Sequence, residues 1–199
     1  MIEFNIKNRF TGDVQVTAEI DCDEDTPNSI KLRHAVKCAI TYGADLAGTD
    51  LRGAYLDGAD LSYTDLMDAN LTGVNLSDTN LRGAKLKGAT FKDIILKSVP
   101  KIDNIHQKVY GAASKENALN MNAWHTCETT HCRAGWVTTL AGKEGKDLEE
   151  KTSTANAALL IYMASDPDFI SREGIPDFHT DNETALADMK RLADLEAIQ

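Results

Sequence analysis

A large apolar residue recurs at every fifth position through the middle of the chain. These positions hold ten leucines and one phenylalanine, namely Leu46, Leu51, Leu56, Leu61, Leu66, Leu71, Leu76, Leu81, Leu86, Phe91 and Leu96. The residue two places before each of them is small or β-branched. Residues five apart lie about 140° apart on an α-helix and on opposite faces of a flat strand, so neither element would bury this pattern. The pattern therefore predicts a chain that turns a corner after every five residues, always in the same sense.

Four such corners close a coil of about 20 residues, because within one unit the small residue and the leucine share a strand face. This register predicts two stacks of side chains. The stacks consist of Leu46, Leu66 and Leu86, and of Leu51, Leu71 and Phe91. Glycine follows the central residue by two places at Gly48, Gly53, Gly58, Gly73, Gly83 and Gly88. Because glycine tolerates the unusual φ angles of tight turns, we expect these residues at corners.

The repeated units resemble the pentapeptide-repeat family, whose consensus is A(D/N)LxG. The resemblance is visible in ADLAG, TDLRG, ADLSY, ANLTG and TNLRG. It implies a right-handed quadrilateral β-helix over residues 44–98. The later units AKLKG and ATFKD lose the Asp or Asn before the central residue, and IILKS also loses the small side chain. We interpret this loss as the end of the solenoid.

The sequence before the repeats predicts a β-hairpin and a helix. Strand-like runs over 3–8 and 14–20 are separated by turn residues. A helix should follow, with the Thr26 hydroxyl as its cap, Pro27 in its first turn and Gly43 as its stop. We predict that residues 1–43 form an N-terminal cap on the repeats. This opening resembles that of phage-type pentapeptide-repeat proteins.

Residues 99–199 predict an α-helical domain. Helical signals cover residues 104–113, 130–141 and 153–164, the second of which should end at Gly142. A capping box from Thr180 to Glu183 opens a last helix. The stretch MNAWHTCETTHCRAGWVTTLAG resembles a small domain of uncharacterised phage-type proteins, to which no activity is attached. The predicted organisation therefore has three parts, namely 1–43, 44–98 and 99–199.

Composition limits the classes of function. The chain of 199 residues carries 21 basic and 31 acidic residues, a net charge of −10, with 42% hydrophobic residues. This balance excludes wholesale disorder and a nucleic-acid-binding surface over the whole protein, so we do not expect direct nucleic-acid binding. No apolar stretch is long enough to span a membrane, and residues 1–20 lack the features of a signal peptide. We expect a cytoplasmic protein with no membrane partner, in the host cytoplasm if a phage encodes it.

Two histidines and two cysteines fall within eight residues, which raises the question of a metal site. His125, Cys127, His131 and Cys132 carry side chains that bind zinc or iron. A structural zinc site usually joins two separated ligand pairs, whereas these four residues are local, so we predict no metal and no cofactor. A Cys132 nucleophile with a pKa lowered by a helix N-terminus is a second hypothesis.

We favour a packing role for this cluster, in which the cysteines and tryptophans lie in the helical core and the histidines cap or hydrogen-bond locally. A cytoplasmic location makes disulfides unexpected. The candidate binding residues are Trp124, His125, Cys127, His131, Cys132, Arg133 and Trp136.

Aspartates on the repeats suggest a third hypothesis, an anionic stripe that imitates DNA. Some pentapeptide-repeat proteins resemble B-DNA and occupy the DNA groove of type II topoisomerases such as gyrase. Residues 44–78 carry seven aspartates and one arginine, a net charge of −6, but residues 79–98 carry five basic residues and one aspartate, +4. The coil would also reach only about 13 Å, or about four base-pair steps. Charge and length both argue against the stripe.

The predicted function is a non-enzymatic interaction protein of phage or prophage type, with the β-helix as a rigid platform. Its expected partner is a host or phage protein, and it could inhibit a host system. A small ligand and a homo-oligomer are left open. The alternatives are a DNA-mimic inhibitor of a DNA-handling enzyme, and a metal-binding or enzymatic helical domain centred on the Cys/His cluster.

Overall fold

A computed structural model describes residues 1–198. Its elements are β1 (Ile2–Lys7), β2 (Val14–Ile20), α1 (Asn28–Thr41), α2 (Ile105–Ala113), β3 (His125–Cys127), β4 (Thr130–His131), α3 (Arg133–Leu140), α4 (Gly142–Lys151), α5 (Thr154–Ser165), α6 (Pro167–Glu173) and α7 (Asn182–Glu196). The chain divides into two compact units. The first comprises Met1–Lys97 and Pro167–Ile175, and the second comprises Ser98–Asp166 and the residues from 176 onward. Within the described chain, every helix is too short or too polar to cross a membrane.

The predicted N-terminal hairpin is confirmed. Strands β1 and β2 pair antiparallel, with Ile2 opposite Ile20 and Ile6 opposite Val16. Helix α1 follows, but the expected Thr26 cap is wrong. The helix begins at Asn28, and Pro27 with ψ of 141° is the capping residue without a side-chain bond. Because Pro27 is extended, the Thr26 hydroxyl lies one residue too far from the helix to cap it.

The repeat coil, residues 44–98, has the predicted period of 20. Isolated parallel bridges join residues 20 apart, in the columns Asp50–Asn70–Thr90, Tyr55–Asn75–Ile95, Asp60–Asn80 and Asp65–Lys85. The central side chains from Leu46 to Leu86 are at most 1% exposed. The coil consists of turns and single bridges rather than extended strands. Each complete turn of the coil therefore contributes one residue to each of the four columns of bridges.

Each corner of the coil places one residue in the left-handed region. Every fifth residue from 48 to 98 has a positive φ, between 54° and 79°. The six glycines expected at corners all adopt it. The other corners are Tyr63, Asp68, Asp78, Asp93 and Ser98. The corner therefore belongs to the repeat geometry and does not depend on glycine, although a side chain at this φ is strained.

The N-terminal segment covers the first turn of the coil. Asp50 donates its backbone N–H to the Lys7 carbonyl over 2.7 Å, and Arg9 donates to the Gly48 carbonyl over 2.8 Å. Helix α1 also contacts the coil, since Tyr55 donates its N–H to the Ser29 carbonyl over 3.1 Å. These main-chain bonds use polar groups that an open first turn would leave without protein partners.

Helix α6 joins the first unit and was not predicted from the sequence. Gly88 of the coil donates its backbone N–H to the Ser171 carbonyl over 2.7 Å. Phe169 and Ile170 of this helix are buried. A segment about 80 residues further along the chain therefore bonds to the coil near its C-terminal end.

The second unit is built mainly from helices. Helix α2 packs against α7, and α3 packs against α5. The helices expected over 104–113 and 153–164 are confirmed as α2 and α5. The one expected over 130–141 begins only at Arg133, because Thr130 and His131 form strand β4. Gly142 ends α3 as predicted, with a φ of 68° directly after the C-cap residue Ala141, and the unpredicted helix α4 begins from it.

The expected capping box of the last helix is wrong in its register. Asp181 caps α7, and its carboxylate accepts the backbone N–H of Thr184 over 2.8 Å. Thr180 lies one residue before this cap. The two candidates are adjacent, and an aspartate is at least as good a cap as a threonine.

Candidate functional site: the histidine cavity and the repeat coil

A two-stranded hairpin brings the predicted Cys/His cluster together before helix α3. Strands β3 and β4 pair antiparallel, with His125 opposite His131. Cys132 is extended and caps α3, where its Sγ accepts the Gly135 N–H at 3.3 Å. Gly135 permits this arrangement, because a Cβ there would lie 2.1 Å from the Trp124 carbonyl oxygen and 3.1 Å from His125.

The two imidazoles bond to each other. His125 Nδ1 lies 2.8 Å from His131 Nδ1. His125 Nε2 lies 2.8 Å from Glu149 Oε1, and His131 Nε2 lies 3.1 Å from the Glu128 carbonyl oxygen. Thr154 donates its hydroxyl to the same Glu149 oxygen over 2.5 Å. The result is a chain of hydrogen bonds that ties the hairpin to helices α4 and α5.

The acceptors at the two ends of this hydrogen-bond network determine which outer ring nitrogens donate. A carbonyl oxygen only accepts, so His131 donates from Nε2 to the Glu128 carbonyl. The Glu149 carboxylate also accepts, so His125 donates from Nε2 as well. A single proton between the two Nδ1 atoms completes the network, and either ring can carry it.

The pKa values of His131 and Glu149 are both lowered in this network. Burial lowers the pKa of His131 below its usual 6.5, and the neighbouring charge of His125 adds to the effect. Burial alone would raise the pKa of Glu149, but hydrogen bonds from Thr154 and His125 hold it below 4.5. His131 is 4% exposed, so its second protonation is disfavoured.

The two cysteines of the cluster differ, which corrects the packing hypothesis. Cys132 is fully buried, but Cys127 is exposed on the hairpin. Burial raises the pKa of Cys132, so the hypothesis of a nucleophile there, with a lowered pKa, is wrong. Hydrogen bonds from the Thr129 and Thr130 side chains lower the pKa of Cys127 to about 7. The backbone N–H groups of Gly135 and Ala134 lower the pKa of Cys132, but burial outweighs them, so the helix N-terminus does not activate this thiol.

The tryptophans and the arginine of the predicted cluster occupy different environments. Trp124 is 38% exposed and contacts the His179 ring edge-on, so its expected place in the core is wrong. Trp136 is half-buried, and its indole N–H donates to the Ala118 carbonyl over 2.8 Å. Arg133 is 1% exposed and donates to Asp188 over 2.7 Å.

The side chains around the hairpin line an open cavity of about 490 Å³, here called the histidine cavity. Its lining includes His125, Cys127, Glu128, His131, Lys146, Glu149 and Glu150. Among residues 1–198, no group of three or more His, Cys, Asp or Glu side chains has an arrangement that could hold a metal ion. His125 and His131 instead use their ring nitrogens on each other and on Glu149 and Glu128.

The aspartates and asparagines of the repeat coil have a structural task. In seven units, the residue before the central leucine accepts the backbone N–H two residues later through its Oδ1. This bond closes an Asx turn before the corner of each of these units. The residues that make it are Asp45, Asp50, Asp60, Asp65, Asn70, Asn75 and Asn80. The repeated Asp or Asn is therefore a turn residue.

Several of these aspartates are also paired with neighbouring side chains. Arg52 bonds to Asp50 over 2.7 Å, and Lys85 bonds to Asp65 over 2.9 Å across one turn of the coil. The side-chain bonds from these two cations are the largest influences on the aspartate pKa values and lower both. Ion pairs with Arg52 and Lys85 therefore neutralise part of the negative charge of the coil.

Comparison with known proteins agrees with the repeat pattern. The family model of pentapeptide repeats, in eight copies, matches residues 42–73 and 64–99. Two crystal structures of cyanobacterial pentapeptide repeat proteins are similar. Rfr23 of Cyanothece 51142 is 47% identical over 27% of this chain and 36% of its own, with a TM-score of 0.26. HetL of Nostoc sp. strain PCC 7120, a protein involved in heterocyst differentiation regulation, is 46% identical over 25% of this chain and 21% of its own, with a TM-score of 0.24.

The matched region is thus well under two thirds of either relative's length. No curated protein matches the chain. The family match lies within the coil and leaves the histidine cavity outside it. Residues 42–99 therefore carry pentapeptide repeats.

Proposed function

We propose that this protein is a non-enzymatic interaction protein of phage or prophage type. In it, a right-handed quadrilateral β-helix over 44–98 is a rigid platform for a protein partner in the cytoplasm. Pentapeptide-repeat proteins are generally interaction or structural proteins. The 20-residue period of the bridges and the buried central leucines support a stiff coil, since close-packed interiors resist deformation. Host inhibition would follow if the partner is a host protein.

One column of the coil carries this proposal. The column Tyr55–Asn75–Ile95 contains no charged residue, whereas each of the other three columns contains an aspartate. Tyr55 is 44% exposed and Ile95 is 40% exposed. Protein interfaces favour exposed aromatic and apolar side chains and are depleted in charge at their centres. We therefore assign the partner surface to this column.

The DNA-mimic alternative has less support. Its acidic stripe needs free carboxylates, but Asp50 is bonded to Arg52, and Asp65 is bonded to Lys85. Asp60 accepts a hydrogen bond from Asn80 over 3.0 Å. Two of the three aspartates in the bridge columns are therefore paired with a cation, which weakens the acidic stripe.

A pull-down from a lysate of the encoding cell tests the proposal. The baits are the wild-type chain, the double variant Tyr55→Ser/Ile95→Ser, and a matched control, Asn80→Ser, on another column. We expect a partner that the wild type and the control capture and the double variant loses. Capture of the same protein by all three baits would contradict the assignment. If the partner proves to be a topoisomerase or nuclease whose binding weakens steeply with salt, the DNA-mimic alternative replaces it.

A further inference from the structure

One side of the repeat coil exposes large apolar side chains. This side consists of residues 44–48, 64–68 and 84–88, one unit from each of three turns, and is here called the Met67 side. Met67 is 37% exposed, and Tyr63, at the corner where the middle unit begins, is 69% exposed. Tyrosine and methionine are both enriched in protein interfaces relative to the rest of the surface. The middle turn of the Met67 side therefore has the composition of a contact surface.

The charges of the Met67 side are ordered along the coil axis. Its outward positions hold, turn by turn, Asp45 and Ala47, then Asp65 and Met67, and last Lys85 and Lys87. The carboxylates thus lie in the first two turns and the ammonium groups in the last. Two charges of each sign make this side neutral overall. Asp45, Lys85 and Lys87 are exposed, so these charges are open to contact from outside.

This order of charges is complementary to itself under a twofold axis. In a twofold-symmetric pair, each contact between two different residues occurs twice. An axis that crosses the middle turn at a right angle to the coil makes two coils antiparallel, so the first turn of each copy lies opposite the last turn of the other. Asp45 of one copy then faces Lys85 of the other, and Met67 faces its own copy. A twofold axis parallel to the coil instead sets Lys85 and Lys87 against the same lysines, which repel each other.

We propose that the Met67 side is an interface for a second copy of this chain, bound antiparallel. Met67 and Tyr63 form its apolar middle, and an Asp45–Lys85 ion pair lies at either end. The lysine that pairs with Asp65 within its own chain thus gains a second carboxylate. Three turns of about 4.8 Å each span only about 14 Å, so the interface is small and the dimer is weak and reversible.

The dimer goes beyond the proposed interaction function and leaves its surface free. The column Tyr55–Asn75–Ile95 lies two columns away from the column Asp65–Lys85, on the opposite side of the turn. An antiparallel pair therefore presents two such columns, one on each outer side. Two linked columns bind a dimeric or repetitive partner more tightly than a single chain does.

Sedimentation velocity of the full chain from about 10 µM to about 1 mM tests the proposal. We expect the wild type to shift from monomer to dimer as its concentration rises. Met67→Lys places two ammonium groups at the axis and should remain monomeric. Thr72→Lys, at the equivalent position of the next unit and on another side, is the matched control and should dimerise like the wild type. Arg52 and Lys92 occupy this repeat position in other units, so both variants should keep the fold.

A charge exchange tests the antiparallel order. Asp45→Lys and Lys85→Asp each set like charges against each other at both ends of the interface, so neither variant should dimerise alone. An equimolar mixture of the two restores both ion pairs and should form a heterodimer. Recovery of this heterodimer also shows that both variants are folded.

Three results would overturn the proposal. One is a wild type that stays monomeric up to about 1 mM. Another is a Met67→Lys variant that dimerises as well as Thr72→Lys. The third is a mixture of the two charge variants that stays monomeric although circular dichroism shows both to be folded. The column Tyr55–Asn75–Ile95 lies on the opposite side, so none of these results bears on the interaction function.

Discussion

His125 and His131 face each other through Nδ1 atoms that lie 2.8 Å apart, and a single proton fits between them. The other nitrogen of His131 donates to the Glu128 carbonyl. Protons on both Nδ1 atoms at once would place two N–H groups against each other. The contact therefore excludes double protonation of the pair.

The first prediction concerns the pH dependence of stability. Burial lowers the pKa of His131 in the fold, whereas the unfolded chain takes up this proton near pH 6.5. The unfolded state thus binds more protons just below pH 6.5, so stability is full above that pH and falls as the pH drops toward the lowered pKa. One proton limits the slope to about 1.4 kcal/mol per pH unit.

Urea unfolding at about pH 7.5 and about pH 5.5 measures this slope, in a range where histidines titrate and ordinary carboxyls do not. His131→Gln removes the titrating group and keeps a donor for the Glu128 carbonyl. The variant should lose most of the pH dependence. An unchanged slope in His131→Gln would show that His131 is not its source.

The second prediction separates the inside of the repeat coil from its outside. Leu66→Asp places a carboxylate where the side chain is 0% exposed, which costs several kcal/mol and should unfold the first unit. Asp65→Asn keeps the turn oxygen and loses only the exposed ion pair with Lys85, so it should cost less than about 1 kcal/mol. Thermal unfolding by circular dichroism compares them, and equal losses would contradict the register of the coil.

The third prediction compares two corner glycines with the same backbone angle. Gly53 and Gly83 have φ of 67° and 66°. A Cβ on Gly53 would meet no atom within 4 Å, but on Gly83 it would lie 2.7 Å from the Tyr63 ring. Gly53→Ala should cost about 1–2 kcal/mol from its backbone alone, and Gly83→Ala should cost more.

Tyr63→Ala in the Gly83→Ala background provides the control, because it removes the ring that the new methyl group meets. It should bring the loss of melting temperature close to that of Gly53→Ala. If Gly83→Ala alone is no worse than Gly53→Ala, corner residues one turn apart do not touch.

The fourth prediction concerns the buried thiol at the start of α3. Serine is a preferred helix cap, so Cys132→Ser keeps the bond to the Gly135 N–H and should change stability by about 1 kcal/mol or less. Cys132→Val removes that acceptor with a side chain of similar size and should cost more. Chemical denaturation of both variants measures their free energies of unfolding for this comparison. A Cys132→Ser variant that is far less stable than Cys132→Val would show that the cap bond is not what Cys132 contributes.

Local chemistry explains what could be predicted from the sequence. The period of five specified the corners, the buried leucines and the pairing of residues 20 apart, because each unit repeats the same local choice. The role of the repeated Asp or Asn was missed, since its bond to the backbone two residues later is a turn bond and not a surface charge. The Asx-turn habit of these residues is the signal that could have found it.

The histidine cavity depends on contacts between distant segments, and these were not predicted. Glu149 and Lys146 lie on α4, a helix that was not predicted. The pairing of His125 with His131 follows from the short hairpin β3–β4, which the helical interpretation of residues 130–141 had covered. For the same reason the exposure of Cys127 was not foreseen, because it lies on the hairpin rather than in a helical core.

The most direct test of the proposed function is the affinity of the captured partner for the column Tyr55–Asn75–Ile95. Isothermal titration would compare the wild type with Ile95→Ser and with Asn80→Ser, a polar exchange on another column. The account predicts that Ile95→Ser weakens binding by about tenfold, which corresponds to about 1.4 kcal/mol, and that Asn80→Ser leaves it unchanged. Equal affinities for the wild type and Ile95→Ser, with weakened binding by Asn80→Ser, would contradict it.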